Sequence, residues 1–382
     1  MGQWKGEKIM AYKFPSVEAI DRHKRFGIRT NPGNINAVKS VLRENGICVS
    51  DMDVKYAPTI QRISFRPSFK AANKLARMEK QFQFAVGDER TSMTMEAGMV
   101  HIDVPNASDC VFAGDLIAKL PHNDHINIPV GMDMEGNVIG TALDKAPHML
   151  VAGCTGSGKS VFLNTAIVAM LMQKSPDELN MILVDPKRVE FAPYTVCKGV
   201  TVVNDEQEAI DKLHWLNTEM HKRYNRFALA GCRDIDEYNA KARKPLPKIV
   251  LIVDELSQLM CGKDKKAIEA DVVKLAQLSR ASGIHMILAT QYPVASVVTG
   301  LIKQNIPCKV CLQTTNYTGS VVMLGRKGAE KLMGKGDLLF VGPTTDFPIR
   351  LQGGYISTDD CVAVANYASH NRRKLFGGWT FR

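Results

Sequence analysis

The sequence has no hydrophobic run long enough to cross a membrane, and this absence argues against an integral membrane protein. A spanning helix needs about 20 apolar residues, whereas the best candidates, such as Ile167–Met172, are far shorter. The first residues, MGQWKGEKIMAYK, also contain no apolar stretch of the kind found in a secretory signal. We therefore predict a cytoplasmic protein with no integral membrane segment.

The cysteines lack any regular framework, which argues against a disulfide-stapled or zinc-ribbon protein. Nine of them are scattered along the chain, as expected for reduced thiols in a cytosolic protein. Cys308 and Cys311 form a C-x-x-C pair, but the segment NIPCKVCLQT is typical of a strand. Residues three apart on a strand point to opposite faces, so we predict neither metal binding nor redox chemistry there.

The composition is that of an ordinary globular protein with a basic balance. The chain has 382 residues, of which 45% are hydrophobic and 23% charged, enough for about two domains with their own cores. The formal net charge is +10, and a basic surface attracts polyanions such as nucleic acid. Many soluble proteins are mildly basic without such a partner, so charge alone leaves both interpretations open.

Hydrophobic periodicity divides the chain into four parts, beginning with a lead-in over residues 1–20. Residues 21–118 predict a small α/β unit, with helices in NINAVKSVLREN and AANKLARMEKQFQFAV and strands in IQRISFRP and GMVHIDVPN. Residues 120–140 contain many Asn, Pro and Gly residues and predict a loop. Several basic side chains of the small unit either face DNA or form a solvated surface: Arg62, Arg66, Lys70, Lys74 and Arg77.

The third part, residues 119–358, predicts an α/β domain with a mostly parallel sheet. Short apolar runs (HMLVAG, MILVDP, KIVLIVDE, IHMILATQ and KVCLQT) alternate with helical segments over 160–173, 206–229 and 266–281. Buried strands that alternate with helices are typical of a parallel sheet covered on both faces. Residues 359–382 predict a short helix and a basic tail.

A phosphate-binding loop follows the first of these strands. The stretch Gly153-Cys154-Thr155-Gly156-Ser157-Gly158-Lys159-Ser160 matches G-x-x-x-x-G-K-[ST] and lies between an apolar strand and a helix. Its glycines let backbone N–H groups surround phosphate oxygens at a helix N-terminus. We expect Lys159 to reach the β- and γ-phosphates of ATP and the Ser160 hydroxyl to ligate Mg²⁺.

Polar residues at the ends of two later strands complete the predicted site. The strand KIVLIV ends in Asp254 and Glu255, which we predict to hold Mg²⁺ and to orient or deprotonate the attacking water, respectively. The strand IHMILAT ends in Gln291, whose amide is placed to sense the γ-phosphate. A pair of acids favours ATP hydrolysis over binding alone. No guanine-reading N-K-x-D and no LSGGQ signature occur, which argues against a GTPase and an ABC-type ATPase.

The motifs together resemble the FtsK/SpoIIIE family of hexameric DNA translocases over most of the chain. The matching stretches are PHMLVAGCTGSGKSVFLN, ILVDPKRVEF, LIVDE, LSRASGIHMILATQ, GLIKQNIP and GAEKLMGKGDLLF. The resemblance implies an N-terminal α subdomain, a RecA-like β subdomain, and ATP hydrolysis between subunits of a ring around double-stranded DNA. It also implies that Asp185 and Lys187 lie near the nucleotide or a subunit interface.

Some positions depart from the family pattern and leave the trans-acting arginine open. Tyr292 stands where the family has arginine after ATQ, and residues 318–320 (TGS) replace a D-S-R signature. Arg280 and Arg326 are the two candidates for a finger that stabilises transition-state charge, and either is equally compatible with a surface ion pair. The membrane region and the winged-helix module of the family are expected to be missing.

The sequence therefore predicts an ATP-driven translocase of double-stranded DNA that works as a hexameric ring. The alternative is a coupling ATPase that feeds DNA or protein into a conjugation or secretion channel, because related secretion motors share the fold.

Overall fold

The computed structural model describes Pro15, Ile20 and residues 31–369, apart from Pro58, residues 107–109 and Asp346. The predicted basic tail and most of the lead-in lie outside these described residues. Two packed units follow one another along the chain, and they are called here the small domain (residues 31–106) and the large domain (residues 110–369).

The small domain is a four-stranded antiparallel sheet with helices packed against it. Its elements are α1 (Pro32–Glu44), β1 (Ser50–Tyr56), β2 (Ile60–Arg66), α2 (Phe69–Leu75), α3 (Glu79–Val86), β3 (Ser92–Glu96) and β4 (Met99–Pro105). The strand order is β1-β2-β4-β3. Asn31 caps α1 by accepting a hydrogen bond from the Gly33 amide at 3.0 Å, as Asn does at helix starts. Phe65 and Phe82 fill the core.

The single helix predicted over residues 71–86 is two helices in the structure. Met78 leaves the helical conformation (φ −100°, ψ 4°) and is only 2% exposed. Burial of this side chain in the small-domain core therefore overrides the helical propensity of the flanking residues.

The large domain contains a ten-stranded sheet. Its first elements are α4 (Ala113–Ala118), β5 (Asn127–Met132), β6 (Val138–Ala142), β7 (His148–Ala152), α5 (Lys159–Gln173), β8 (Leu179–Val184), β9 (Val200–Val203), α6 (Glu206–Leu229), α7 (Ile235–Lys241) and β10 (Lys248–Val253). The remainder are α8 (Leu256–Leu259), α9 (Lys265–Leu278), β11 (Ile284–Thr290), α10 (Gly300–Asn305), β12 (Cys308–Leu312), α11 (Tyr317–Leu324), β13 (Asp337–Val341), β14 (Ile349–Gln352) and α12 (Thr358–Ala368). The order is β6-β5-β14-β13-β12-β7-β11-β10-β8-β9.

The centre of this sheet is parallel, as the alternation of strands and helices predicted. Strands β9, β8, β10, β11, β7 and β12 run parallel, whereas β13, β14, β5 and β6 extend the sheet antiparallel. Strands β7 and β11 are buried throughout, because one hydrophobic cluster with α5 and α12 covers one face and a second cluster with α6 and α9 covers the other.

The loop predicted over residues 120–140 is wrong, because much of it forms the hairpin β5–β6. Ile128 and Val130 are buried in the large-domain core. The turn is closed by the Asp133 carboxylate, which accepts hydrogen bonds from the amides of Glu135 (2.9 Å) and Asn137 (2.8 Å). Aspartate stabilises turns in this way, so the polar residues that suggested a loop mark the turn of a hairpin.

The two cysteines of the C-x-x-C pair lie on a strand and face opposite sides of the sheet, as their spacing predicted. Cys308 and Cys311 both lie on β12, and each is packed into a different one of the two hydrophobic clusters. Burial raises the pKa of the Cys308 thiol to about 12. These cysteines are therefore core side chains on opposite faces of the sheet.

Two histidines lie inside the sheet on the neighbouring strands β7 and β11. The rings of His148 and His285 are 6.4 Å apart. Neither ring nitrogen of His148 has a hydrogen-bond partner among the described residues. Burial lowers the pKa of His148 to about 3 and that of His285 to about 4. Both rings are therefore neutral in the folded protein at physiological pH.

Because His148 and His285 are buried and neutral, we expect the folded protein to lose stability in mild acid. Below about pH 6.5 the unfolded chain binds protons that the folded chain rejects, so each histidine costs about 1.4 kcal/mol per pH unit until its folded pKa is reached. His148→Leu removes one such group, and we expect a shallower fall of Tm between about pH 7.5 and about pH 5. His221→Leu, at an exposed position of α6, is the control. An unchanged slope for His148→Leu would contradict the prediction.

Candidate functional site

The phosphate-binding loop has the strand–loop–helix geometry that its sequence predicted. It runs from the end of β7 to the start of α5, where Gly156 (φ +80°) and Gly158 (φ +102°) adopt backbone conformations that favour glycine. A Cβ on Gly153 would lie 2.4 Å from the Ser157 Oγ. Glycine therefore supplies the unusual backbone angles at positions 156 and 158, and at position 153 it avoids a clash with Ser157 and Leu312.

Lys159 links this loop to the next predicted motif. Its Nζ donates to the Asp254 carboxylate Oδ1 at 2.5 Å and to the Asp254 carbonyl at 2.6 Å. Both side chains are almost fully buried. Asp254 follows β10, so the loop after β7 and the end of β10 meet at this ion pair.

Glu255 and Gln291 are also brought together, because β11 lies between β7 and β10. The Glu255 carboxylate accepts hydrogen bonds from the Thr290 hydroxyl (2.7 Å) and from the backbone N–H of Gln291 (3.0 Å). The Thr155 hydroxyl of the phosphate-binding loop donates to the Gln291 Oε1 at 3.3 Å. A continuous polar path therefore joins the loop, the β11 end and the β10 end.

A cavity of about 820 Å³ opens directly over the phosphate-binding loop. Cys154, Thr155, Gly156, Gly158, Lys159, Ser160 and Gln291 line one side of it. Asp254 and Glu255 are not in the lining; they contact Lys159 and Gln291 from behind. A cavity of this size accommodates a nucleotide.

The oxygen ligands present suit Mg²⁺. The Ser160 hydroxyl lines the cavity, and the Asp254 carboxylate is one contact away through Lys159. Among the described residues no group of three or more His, Cys, Asp or Glu side chains is placed to hold a metal ion. Mg²⁺ usually takes only one or two protein oxygens and completes its shell with phosphate and water, so this sparse donor set fits a metal that arrives with its nucleotide.

Asp185 and Lys187 occupy the loop after β8 and do not line the cavity. The Asp185 Oδ2 accepts hydrogen bonds from the amides of Glu190 (2.8 Å) and Phe191 (3.0 Å), so this carboxylate orders the loop. Lys187 is exposed. Glu190, in the same loop, does reach the cavity wall.

Arg280 and Arg326 are both exposed and lie outside the cavity of their own chain. Arg280 follows α9. Arg326 follows α11, and its guanidinium stacks on the Phe347 ring, 4.7 Å from the centroid. Tyr292, which stands where the FtsK/SpoIIIE pattern has an arginine after ATQ, is 65% exposed.

Sequence reasoning missed a second wall of the cavity, formed by residues 333–336, here called the strap. The Gly336 amide donates to the Ser157 carbonyl at 2.8 Å, and the Lys335 amide to the Gly156 carbonyl at 3.3 Å. A Cβ on Gly158 would lie 2.6 Å from the Gly336 nitrogen. The stretch GKG signals a tight turn, but no sequence pattern shows what that turn packs against.

The fold and the joined polar groups define the class of the protein: it is a P-loop NTPase in which the loop, two acidic residues and a glutamine meet at one edge of a parallel sheet. Residues 121–295 match the FtsK/SpoIIIE family. The chain belongs to the FtsK/SpoIIIE family, as its motifs predicted.

Similar proteins support this assignment over nearly the whole chain. The DNA translocase FtsK of Caldanaerobacter subterraneus subsp. tengcongensis is 38% identical over 347 residues, covering 87% of this chain and 48% of that protein. The DNA translocase FtsK of Corynebacterium glutamicum is 35% identical over 389 residues, covering 95% of this chain and 42% of that protein. The chain thus spans about half the length of these relatives.

Solved structures share the fold. The conjugation coupling protein TcpA of pCW3, in a monomer form with ATPγS, is 26% identical with a TM-score of 0.61, over 88% of this chain and 98% of that one. The type VII secretion ATPase EccC of Thermomonospora curvata is 22% identical with a TM-score of 0.61, over 69% of this chain and 35% of that chain. In the described part of this chain, no helix combines the length and apolarity that a membrane span requires.

We expect Cys154 to make the nucleotide site sensitive to alkylation. It lines the cavity and its backbone holds the loop, with its amide donating to the Gln313 carbonyl at 2.8 Å. We expect Cys154→Ala to keep ATPase activity within about two-fold, because a substitution that leaves these backbone bonds intact costs little. N-ethylmaleimide should inactivate the unmodified protein and spare this variant.

The matched control is Cys110→Ala, because Cys110 is exposed and lines the same cavity. That variant should stay sensitive to N-ethylmaleimide, and ATP should protect it. A Cys154→Ala protein without ATPase activity would show that the thiol takes part in the chemistry.

Proposed function

We propose that this chain is an ATP-driven motor that pumps double-stranded DNA through the pore of a hexameric ring, with ATP hydrolysed between subunits. The observation that carries the proposal is the hydrogen-bonded path from the phosphate-binding loop through Gln291 to Glu255. It connects the place where a γ-phosphate would lie to a carboxylate of the kind that activates water. Duplex DNA enters the proposal because the similar proteins are named DNA translocases.

Each residue of the site has a distinct task in this proposal. Gly153 to Ser160 hold the phosphates by backbone N–H groups, and Lys159 leaves Asp254 to contact the β- and γ-phosphates. Ser160 and Asp254 hold Mg²⁺, which neutralises charge on the phosphate oxygens. Glu255 orients or deprotonates the attacking water, and Gln291 responds to the γ-phosphate.

The proposed partner is the phosphate backbone of duplex DNA. A formal net charge of +10 favours association with a polyanion, and backbone contacts of this type make binding strongly salt-dependent and independent of sequence. A cytoplasmic location belongs to the same proposal, because ATP and DNA are both available there.

A second candidate is a coupling ATPase that feeds DNA or protein into a conjugation or secretion channel. It is favoured by the likeness to the conjugation coupling protein TcpA, which extends over 98% of that chain. The two candidates share the nucleotide chemistry and differ in what stimulates it. Duplex DNA should raise the ATPase rate of a translocase, whereas a coupling ATPase should respond to its channel partner.

Glu255→Gln is the test of the catalytic role. The change keeps the size of the side chain but removes its basicity, so we expect ATP binding to persist and DNA-stimulated turnover to fall at least about 100-fold. Steady-state ATPase and binding of Mg–ATPγS measure the two effects. The control is Glu237→Gln on α7, whose carboxylate pairs with exposed Arg233 and does not line the cavity. Full turnover in Glu255→Gln would refute its role.

If an arginine acts in trans, two variants that are each inactive should complement one another when they are mixed. Arg280→Ala or Arg326→Ala should lower ATPase activity about 1,000-fold or more if the residue is the finger. Such a subunit still has an intact loop, whereas a Lys159→Ala subunit still has an intact finger. Mixing the two should restore part of the activity. Failure of both arginine variants to impair turnover would rule out both candidates.

A further inference from the structure

The strap is bound to the phosphate-binding loop, and its own backbone is strained. Gly334 (φ +75°), Lys335 (φ +50°) and Gly336 (φ +92°) are three successive residues in the left-handed region. A lysine in this conformation is strained, and such residues persist only where neighbouring groups hold them. The hydrogen bonds from the strap to Gly156 and Ser157 hold it on the side of the loop.

On its other side the strap is held by Gln352, at the end of β14. The Gln352 Nε2 donates to the Lys335 carbonyl at 3.0 Å and to the Gly353 carbonyl at 3.2 Å. Its Oε1 accepts a hydrogen bond from the Thr59 hydroxyl of the small domain at 2.8 Å. Gln352 is 7% exposed, so water does not readily replace these partners. A chain of hydrogen bonds therefore runs from the small domain through Gln352 and the strap to the phosphate-binding loop.

The small domain also forms part of the cavity wall. Thr59, Arg90, Pro105 and Asn106 line the cavity opposite the phosphate-binding loop. A nucleotide in this cavity would therefore lie between the two domains.

A separate set of charges keeps the two domains docked. The Arg62 guanidinium donates to both oxygens of Asp103, at 2.6 and 2.8 Å, within the small domain. Arg350 on β14 donates to Asp103 as well and to both oxygens of Asp337, at 3.0 and 2.6 Å. Burial alone would raise the pKa of Asp103, but Arg350 and Arg62 lower it. Two arginines and two aspartates thus cancel in a buried network.

This network includes Arg62 and reaches the strap. The sequence left Arg62 open between facing DNA and forming a solvated surface, and in the structure its guanidinium is paired with Asp103. Asp337 accepts a hydrogen bond from the Met333 amide at 2.7 Å, so the network also anchors the first residue of the strap. Docking of the domains depends on buried charges, whereas Thr59 and Gln352 add a single polar link.

We propose that Thr59 and Gln352 are positioning residues of the ATP site. They fix the strap against the phosphate-binding loop, and nucleotide affinity therefore depends on the docked small domain. The proposal rests on the proposed function only in requiring that the site binds ATP. Since coupling between sites is reciprocal, nucleotide binding also tightens the docking of the small domain.

The experiment measures the dissociation constant of Mg–ATPγS by calorimetry, without DNA. Thr59→Val keeps the shape of the side chain and removes its hydroxyl, and we expect binding to weaken about 2- to 10-fold, the effect of one lost hydrogen bond. Thr59→Ser retains the hydroxyl and should keep the original affinity. Tm should be close to that of the unmodified protein in both variants, because the buried charge network is intact.

A double-mutant cycle separates positioning from direct contact, since Thr59 also lines the cavity. In a Gln352→Met background, Thr59→Val should weaken binding no further if Thr59 acts through Gln352. Effects that simply multiply would overturn the proposal. Glu135→Gln is the matched control: it removes another contact between the domains, the ion pair with Lys55, and should leave the affinity unchanged.

The outcomes distinguish this proposal from the proposed function. A Thr59→Val protein with the original affinity, or a Glu135→Gln protein weakened to the same degree, would overturn the positioning role alone. Absence of DNA-stimulated turnover would contradict the motor while the positioning role stood. Failure of the unmodified protein to bind ATPγS would overturn both.

Discussion

The buried contact between Lys159 and Asp254 is the interaction on which the site depends. An isolated ammonium or carboxylate is costly to bury, and here each satisfies the other at 2.5 Å. In the proposed function Lys159 moves to the phosphates, and Asp254 would then need another cation, which Mg²⁺ arriving with the nucleotide would supply. On that proposal, phosphate binding and metal binding are linked by the cost of leaving either buried charge unpaired.

The order of the strands determines which residues share this site. Because β11 is inserted between β7 and β10, the end of β11 bridges the phosphate-binding loop and the acidic pair. Thr290 and Gln291 hold Glu255 through a hydroxyl and a backbone amide. The residue proposed to respond to the γ-phosphate is thus in direct contact with the carboxylate proposed to activate water.

Local signals predicted the large-domain centre well, and long-range contacts account for what was missed. The strands that carry the phosphate-binding loop, Asp254 and Gln291 are continuous apolar runs, so burial on both faces could be read directly. The hairpin β5–β6 was missed because its turn residue Asp133 resembles a loop residue until its strands find the sheet. The strap was missed because its importance lies in a contact with Gly158, more than 170 positions earlier in the sequence. The partner of Arg62 could not be predicted because only the sheet brings Asp103 close.

The buried network of Arg62, Asp103, Arg350 and Asp337 explains why the two domains meet in one arrangement. Replacing such a network with apolar side chains is often neutral or stabilising, whereas removing one member leaves an uncompensated charge. The network therefore contributes more to geometry than to net stability, because an arginine guanidinium donates paired hydrogen bonds to a carboxylate only in defined orientations. Since Asp337 also anchors the strap at Met333, the same orientation that satisfies the charges places the second wall of the nucleotide cavity. One buried network consequently contributes both to domain docking and to the shape of the nucleotide cavity.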